Sequence, residues 1–222
     1  MTTRNPQPEI LDHLPPDHPD AVASRRDLRF INTLMGNDRW LRTRLMKHLR
    51  PGMKIVELGA GDGSFARSLQ SHLSRDFSIH FTAIDLAPRP PDWPDDPRFE
   101  WRQENIFHSD ALADADGVMV CLMLHHFDDR TLSILGARLT NARFFLAREP
   151  ARQSLWMRFL LYPFRLNPVT KHDMKISIEA GFLGSELADT LGLRQPEWNI
   201  STRETPLNAH QFEAVRGGCP VS

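Results

Sequence analysis

The stretch VELGAGDGSF, residues 56–65, ends an apolar run with an acidic residue and then places three glycines at alternate positions. The residues before it, MKIVELG, are apolar and partly β-branched, which predicts a short buried strand. Apolar residues at helical spacing follow at Phe65, Leu69 and Leu73. Glycine tolerates unusual dihedral angles and lets a ligand reach the main chain without a Cβ in the way. We therefore predict a strand, a tight ligand-binding loop and a helix; the alternative is a turn that merely needs glycine.

The residues around the glycines indicate which ligand the loop would bind. A phosphate-binding P-loop would need a Gly-Lys-Ser/Thr ending, and a dinucleotide fingerprint would prefer Gly or Ala where Ser64 stands. Glu57, two positions before the first glycine, would repel a phosphate but attract an ammonium or sulfonium group. Asp85 ends the next strand pattern, SIHFTAIDL, where an acidic residue can accept hydrogen bonds from both hydroxyls of a ribose. The pattern favours a ligand that combines a cation with a ribose.

Strand and helix patterns alternate along the rest of the chain. Further strands are predicted at RFEWRQENIF, GVMVCLML and RFFLAREP, and EWNISTRE and HQFEAVRG are consistent with a closing pair. The segment DDRTLSILGARL predicts a capped helix after the most apolar strand. This alternation is typical of an α/β domain with a mostly parallel sheet and helices on both faces, which binds ligands at the carboxyl ends of its strands.

The flanking segments suggest the domain organisation. Residues 1–23 are rich in proline and polar groups, which predicts an extended, weakly ordered N-terminal arm. Ser24 and Asp27 resemble a capping box, so we expect the first helix to begin there and to end at Gly36. The prediction is a single domain over residues 24–216 and a short tail at 217–222.

Composition excludes several classes of partner. The chain has 222 residues, a 41% hydrophobic composition and a formal net charge of −1, so it has no global basic field for nucleic acid or an anionic membrane. No segment approaches the roughly 18 uninterrupted apolar residues of a spanning helix, so no stable membrane insertion is expected. The only cysteines, Cys121 and Cys219, form no disulfide framework or zinc motif, which favours the cytoplasm.

Four segments together resemble the class I S-adenosylmethionine-dependent methyltransferases of the small-molecule type. VELGAGDG is similar to the first motif of that family, AIDL to its acidic end of strand two, QENIF to its adenine-contacting stretch, and VCLMLHHF to its segment after strand four. The resemblance covers roughly residues 25–216. It implies a Rossmann-like, doubly wound, seven-stranded sheet with an antiparallel C-terminal strand. It also implies S-adenosylmethionine as cofactor and S-adenosylhomocysteine as product.

The resemblance also implies which residues contact the cofactor. The glycine loop would pass beside the methionine portion, Asp85 would hold the ribose, and Leu86 would lie against the adenine. Asn105 stands where many members have an aspartate, and its amide oxygen could accept the same bond from the adenine amino group or could belong to an ordinary turn. Cys121 could equally be a small buried hydrophobe. The implied cofactor-binding residues are Glu57, Gly59, Ala60, Gly61, Asp85, Leu86, Asn105, Ile106, Cys121 and Leu122.

Two histidines are candidate catalytic bases for methyl transfer to a weakly acidic hydroxyl. His126 follows the buried strand of VCLMLHHF, and His172 lies in TKHD. Their reference pKa of roughly 6.5 leaves a usable neutral fraction near neutral pH. His126 could instead form a local hydrogen bond. The group of His125, His126 and the following aspartates could suggest a metal site, but Asp128 or Asp129 is explained more simply as a helix cap, so we predict no metal.

A long segment near residues 152–178 is the predicted helical lid and acceptor pocket. It is longer than an ordinary connection and carries aromatic and basic residues, of which Arg152, Trp156 and Tyr162 are the predicted substrate-binding residues. A helix that packs its aromatic face on the core and a basic amphipathic membrane surface are the alternatives.

The expected reaction is O-methylation of a hydroxyl on a small, apolar or aromatic acceptor. The motif typical of DNA amino-methyltransferases is absent, so nucleic acid is not the expected substrate. Methylation at carbon or nitrogen is the first alternative, because neither needs a different cofactor site. A catalytically silent cofactor-binding module and a dinucleotide-dependent oxidoreductase are the others.

Overall fold

A seven-stranded sheet forms the centre of the protein, and the computed structural model describes residues 3–15, 17–152 and 165–217. The strand order is β3-β2-β1-β4-β5-β7-β6. The first five strands pair in parallel, and β7 is antiparallel to both β5 and β6. This arrangement confirms the predicted fold class, including the closing antiparallel strand. The strands are β1 Met53–Leu58, β2 Ile79–Asp85, β3 Phe99–Gln103, β4 Gly117–Cys121, β5 Phe144–Pro150, β6 Trp198–Glu204 and β7 Ala209–Arg216.

Helices cover both faces of the sheet, because successive residues of each central strand point to opposite sides. In β4, for example, Val118 and Val120 belong to one buried cluster and Met119 to the other. The first cluster includes apolar residues of α4 and α6, and the second includes those of α2 and α3. The α-helices in the described ranges are α1 Pro19–Met35, α2 Asn37–His48, α3 Ser64–Gln70, α4 Asp129–Ala137, α5 Pro168–Ala180 and α6 Glu186–Leu191. Short 3-10 turns occur at Leu11–His13, Ala111–Asp114 and Leu124–His126.

The strand order reverses between β1 and β4, and this switch point locates the ligand crevice. The chain adds β2 and β3 on one side of β1 and then crosses to β4 and β5 on the other. Loops that leave the carboxyl ends of β1 and β4 therefore diverge to opposite sides and leave a cleft between them. The glycine loop follows β1, and the His125–His126 pair follows β4.

The first helix begins earlier than the capping-box pattern predicted. It starts at Pro19 and is capped by His18, whose Nδ1 accepts a hydrogen bond from the backbone N–H of Asp20 at 3.2 Å. Ser24 and Asp27 are buried within the helix, where the Thr170 hydroxyl donates to both side chains. The prediction of a start at Ser24 was wrong because these polar side chains serve a tertiary contact with α5 and do not cap their own helix.

The described residues of the N-terminal arm, 3–15 and 17–23, pack against the domain, whereas the sequence predicted a weakly ordered arm. The backbone N–H groups of Ile10 and Leu11 donate to the carboxylate of Asp173 on α5, at 2.9 and 3.0 Å. Arg4 donates to the carbonyl of Ala180 at 3.0 Å, and its guanidinium lies 4.0 Å from the centre of the Phe182 ring. Composition alone could not predict this packing, because every partner is distant in sequence.

The predicted lid is described only at its two ends. Residues 153–164 lie outside the described ranges, and with them Trp156 and Tyr162. The helix α5 then begins at Pro168 and is capped by Asn167, whose side-chain oxygen accepts from the N–H of Val169 at 2.8 Å. Within the described residues, no helix is both long and apolar enough to cross a bilayer.

We predict that Gly136→Ala destabilises the fold, although alanine normally favours a helix over glycine. A Cβ at position 136 of α4 would lie 1.8 Å from the carbonyl oxygen of Leu191 on α6. The two helices would have to separate, and we expect the free energy of unfolding to fall by about 1–3 kcal/mol. Urea denaturation measures this change. The control is Ser133→Ala on the exposed side of α4, and equal stability of the two variants would contradict the prediction.

Candidate active site

The glycine loop is held against the end of β2 by its own backbone. The N–H groups of Gly59 and Ala60 donate to the carbonyl of Ile84, at 2.9 and 3.3 Å. Gly59, Gly61 and Gly63 all have positive φ angles, between 58° and 72°, which side chains rarely adopt. Gly59 has a second requirement, because a Cβ there would lie 2.5 Å from the sulfur of Met123 in the loop after β4. The glycines therefore bring the two loops of the switch point into contact.

Asp85 closes the same edge of the crevice. Its Oδ2 accepts from the N–H of Gly61 at 2.8 Å, and its Oδ1 accepts from the N–H of Ala87 at 2.8 Å. Each carboxylate oxygen has two lone pairs, so each keeps one acceptor position for a ligand hydroxyl. The neighbouring Leu86 is 72% exposed, more than any other large hydrophobic residue of the described ranges. The edge thus presents two free acceptors beside an apolar surface.

Glu57 is a buried carboxylate at the floor of the crevice. It is 3% exposed, and its Oε2 has no hydrogen-bond partner among the described residues. Burial raises the pKa of Glu57 well above its usual value of 4.5, and the negative charges of Asp38, Asp85 and Asp62 raise it further. Such a site stabilises a bound cation, because a positive charge would neutralise the cluster and satisfy the free oxygen.

The junction of α1 and α2 covers the crevice and is anchored by a buried arginine. The Nε of Arg148 on β5 donates to the side-chain oxygen of Asn37, and one terminal nitrogen donates to the carbonyl of Met35, both at 2.7 Å. Burial lowers the pKa of Arg148 to about 10. Arg29 of α1 lies 3.8 Å from the Asp62 carboxylate in the glycine loop. Sequence analysis missed Arg148, although a charged pair inside the apolar strand RFFLAREP was the available signal.

Glu149 organises the loop after β4. It is fully buried, and its carboxylate accepts from the backbone N–H groups of Met123, Leu124 and His125, at 3.0, 2.9 and 3.3 Å. The Nδ1 of His125 also lies within hydrogen-bond distance of the Glu149 Oε2, at 2.8 Å. Leu122, at the start of this loop, has a φ of 53°, a strained conformation for a residue with a side chain. The hydrogen bonds to Glu149 stabilise this strained turn.

The remaining residues implied for adenine and cofactor contact have the following surroundings. The side-chain oxygen of Asn105 accepts from the N–H of Phe107 at 2.9 Å, so Asn105 does form an ordinary turn and has one lone pair left. Ile106 is buried in the core, with its carbonyl bonded to Arg138. Cys121 is partly buried, and burial raises the pKa of its thiol well above the usual value.

The two candidate bases have different surroundings. His126 is partly buried in the loop after β4, with its Nδ1 3.7 Å from an oxygen of Asp12, and burial lowers its pKa. His172 is an exposed residue of α5, and its Nδ1 lies 3.1 Å from the Asp173 carboxylate. His126 lies in the loop after β4, beside the switch point, whereas His172 is an exposed residue of α5, so the position of His126 suits a base better. The geometry therefore favours His126.

Arg152 has a structural role that the sequence did not predict. It is 6% exposed, and its guanidinium donates to the carbonyl of Gly181 at 2.7 Å and to both oxygens of the Glu186 carboxylate at the start of α6. Its charge is therefore already paired inside the protein. This pairing joins the end of β5 to α6, and a role of Arg152 in substrate binding stays a prediction from the sequence.

An unexpected group of side chains lies beside His126. Glu9 from the N-terminal arm, His125 and His126 place one nitrogen or oxygen each within 4.8 Å of one another. Asp128, which sequence analysis assigned to a helix cap, does cap α4 by accepting from the N–H of Thr131 at 2.7 Å. Sequence spacing could not identify the group, because Glu9 is far from the histidines along the chain.

Solved structures that share this fold include methyltransferases. The plantazolicin methyltransferase BpumL, in complex with S-adenosylhomocysteine, matches with a TM-score of 0.66 and 9% identity over 93% of this chain and 92% of that chain. A 1,6-didemethyltoxoflavin-N1-methyltransferase from Burkholderia thailandensis, with bound 1,6-didemethyltoxoflavin and S-adenosylhomocysteine, matches at 0.57 and 19% over 89% and 85%. The CurJ carbon methyltransferase matches at 0.51 and 15% over 77% and 50%. No protein-family model and no curated protein matches the sequence. The structural matches show the fold.

We predict that Glu57→Gln stabilises the ligand-free protein while it damages the cation site. The substitution removes a buried charge that neighbouring carboxylates repel, so we expect the free energy of unfolding at pH 8 to rise. Because the folded-state pKa of Glu57 is raised, the wild-type protein loses stability as the pH rises above 4.5. At lower pH, Glu57 is protonated in both states, and the wild-type and Glu57→Gln proteins should have the same free energy of unfolding. Urea denaturation at several pH values tests this.

The control for this measurement is Glu197→Gln. Glu197 is an exposed carboxylate paired with Arg216, and its substitution should change the free energy of unfolding by less than about 0.5 kcal/mol. A Glu57→Gln protein that is less stable than wild type at pH 8 would show that the buried carboxylate has a partner.

Proposed function

We propose that this protein, which has the fold of class I S-adenosylmethionine-dependent methyltransferases, binds S-adenosylmethionine at the glycine loop and methylates a small molecule. The observation that carries the proposal is the buried Glu57 oxygen, which has no hydrogen-bond partner within the described ranges. It lies near three other acidic residues, at the switch point of a sheet with this strand order. A phosphate-bearing dinucleotide would be repelled by this cluster, whereas a sulfonium with an ammonium group would neutralise it.

The residues of this region would contact the methionine, ribose and adenine portions of the cofactor. The Glu57 carboxylate would attract the cationic methionine portion, and the main chain of Ala60 and Gly61 offers close backbone approach. Asp85 would accept the ribose hydroxyls with its free lone pairs, and the exposed Leu86 would cover one face of the adenine. Asn105 would use its remaining lone pair for the adenine amino group.

The protein's own contribution to methyl transfer would be alignment and removal of a proton. The bound cofactor supplies an electrophilic methyl group on a sulfonium. The loop after β4 would fix the position of the acceptor relative to the glycine loop, because Glu149 makes this loop rigid. His126, neutral near pH 7 because burial lowers its pKa, would accept the acceptor's proton.

The acceptor that we propose is a small, apolar or aromatic molecule with a hydroxyl group. The histidine at the crevice supports an acidic O–H group over a carbon nucleophile, although the fold also occurs in nitrogen and carbon methyltransferases. A net charge of −1 argues against nucleic acid as the substrate. Trp156 and Tyr162, which lie outside the described ranges, are the residues that the sequence predicts to bind this acceptor. The free thiol of Cys121 is consistent with a reducing cytoplasm.

Calorimetry with purified protein tests the proposal directly. S-adenosylmethionine and S-adenosylhomocysteine should each bind at one site per chain, whereas NAD and NADP should not bind. A screen of phenols and other hydroxylated aromatic compounds with labelled cofactor then tests turnover. Cofactor binding without turnover on any acceptor would favour a silent module, and binding of NAD alone would contradict the proposal.

We predict that Asp85→Ala weakens binding of S-adenosylhomocysteine by about a hundredfold or more. The change removes charge-assisted hydrogen bonds to the ribose, each worth about 1.5–3 kcal/mol. The matched control is Asp92→Ala, which removes an exposed carboxylate of the loop after β2 that pairs with Arg67. Calorimetry on both variants, with thermal unfolding to verify the fold, measures the difference. Equal affinities would exclude Asp85 from the site.

We also predict that cofactor binding releases protons as pH falls toward the raised pKa of Glu57. The free protein then holds a proton on this carboxyl, and a bound cation favours the ionised form, so affinity should weaken on acidification. Calorimetry in buffers of different ionisation enthalpy counts the released protons. The Glu57→Gln protein should bind more weakly at pH 8 and release fewer protons, and an unchanged proton count would assign the release to another group.

A further inference from the structure

The group formed by Glu9, His125 and His126 has the composition of a metal site. Its three ligand atoms lie within 4.8 Å of one another, and the Nε2 of His125 is 3.6 Å from an oxygen of Glu9. Ligands of a tetrahedral ion with bonds of about 2.1 Å are roughly 3.4 Å apart. A small movement of the His126 side chain would therefore complete the geometry. Two imidazoles and one carboxylate are ligands that divalent transition metals accept.

The orientation of His125 is the second argument for a metal. Its Nδ1 lies 2.8 Å from the buried Glu149 carboxylate, which backbone N–H groups hold in place. This bond leaves the Nε2 of the ring directed at Glu9. Metal-binding histidines commonly donate their other ring nitrogen to a carboxylate in this way, which fixes the ring and increases the basicity of the ligating nitrogen.

Glu9 is also held in position. The hydroxyl of Ser177 donates to its carboxylate, and the next two residues of the arm's backbone, Ile10 and Leu11, are bonded to Asp173. The side chains of His125 and Glu9 are 5% and 11% exposed, whereas that of His126 is 27% exposed. The group is thus closed on the protein side and open on the side of His126. A protein-derived set of three ligands with one open side is typical of sites that keep a position for water or substrate.

We propose that Glu9, His125 and His126 bind one divalent transition-metal ion of the zinc or manganese class, next to the acceptor side of the crevice. The site would also draw on Asp12, whose carboxylate oxygen is 3.7 Å from the Nδ1 of His126. This inference deepens the proposed function and its catalytic part rests on it. In the metal-bound protein, His126 is a ligand, and the open position is where an oxygen of the acceptor binds and becomes more acidic.

The location supports this role. The histidines follow Met123 in the same loop, and the Met123 side chain lies against Gly59 of the glycine loop. The arm residue Glu9 therefore reaches the same edge of the sheet as the proposed cofactor site. Without a metal, the same residues would form only an ion-pair latch, in which His125 bridges Glu149 and Glu9.

The test is metal binding by the full chain after treatment with EDTA and dialysis. Calorimetry with ZnCl₂ and with MnCl₂ should show one equivalent bound by at least one of the two. CoCl₂ should give visible absorption bands characteristic of bound cobalt. Glu9→Gln and His126→Asn should each weaken binding by about tenfold or more. The matched controls are Asp129→Asn and His172→Asn, which remove an exposed carboxylate and an exposed imidazole nearby and should leave the affinity unchanged.

The outcomes separate this inference from the proposed function. Absence of stoichiometric binding, or binding that Glu9→Gln and His126→Asn leave unchanged, would overturn the metal site and favour the latch. His126→Asn alters a partly exposed side chain, and unchanged thermal unfolding of this variant verifies its fold. S-adenosylhomocysteine is titrated into the same metal-free protein. If the protein binds S-adenosylhomocysteine but no metal, only the metal site is refuted. If it binds the metal but not S-adenosylhomocysteine, only the proposed cofactor is refuted.

Discussion

The hydrogen bonds to the buried Glu149 carboxylate are the interaction on which the site depends. One side chain accepts three consecutive backbone N–H groups and one imidazole, and so determines the path of the loop after β4. Although burial opposes their charges, the bond to His125 and the backbone N–H groups lower the pKa of Glu149. The bonds of His125 to Glu149 and Glu9 raise the pKa of His125 to about 9. Breaking such a pair would leave an uncompensated buried charge, which is strongly unfavourable. The strained Leu122 and the position of Met123 both follow from this arrangement.

The adjacent residue of β5 controls the opposite face of the sheet. Successive side chains of a strand alternate in direction, so Arg148 points to the α1–α2 junction while Glu149 points to the loop after β4. Two neighbouring charged residues thus position the elements on both sides of the crevice. In β1, the Glu57 carboxylate has an oxygen with no hydrogen-bond partner in the described part of the chain. The free energy that burial of this charge costs is consistent with a site organised for a cationic ligand rather than for stability.

The N-terminal arm contributes to the site because it is bonded to α5 and to the region after β4. Asp173 accepts from the backbone of the arm, Arg4 contacts Ala180 and Phe182, and Glu9 reaches His125. A proline-rich segment cannot build a core of its own, but it can be ordered by polar contacts with a preformed surface. The arm therefore forms part of the protein surface around α5 and the loop after β4.

The sequence by itself determined the sheet, the glycine loop and Asp85, because these features depend on local periodicity and on residues at strand ends that lie close together in the chain. For Asn105, the sequence also offered the turn that the structure shows as an alternative to contact with adenine. Only the tertiary structure decided that Ser24 and Asp27 face α5 and that Arg152 pairs with Glu186. The contact between Glu9 and His125 and the hydrogen bond from Arg148 to Asn37 also appear only in the tertiary structure. Each of these contacts joins residues far apart in sequence, and a polar residue type does not specify which distant partner satisfies it.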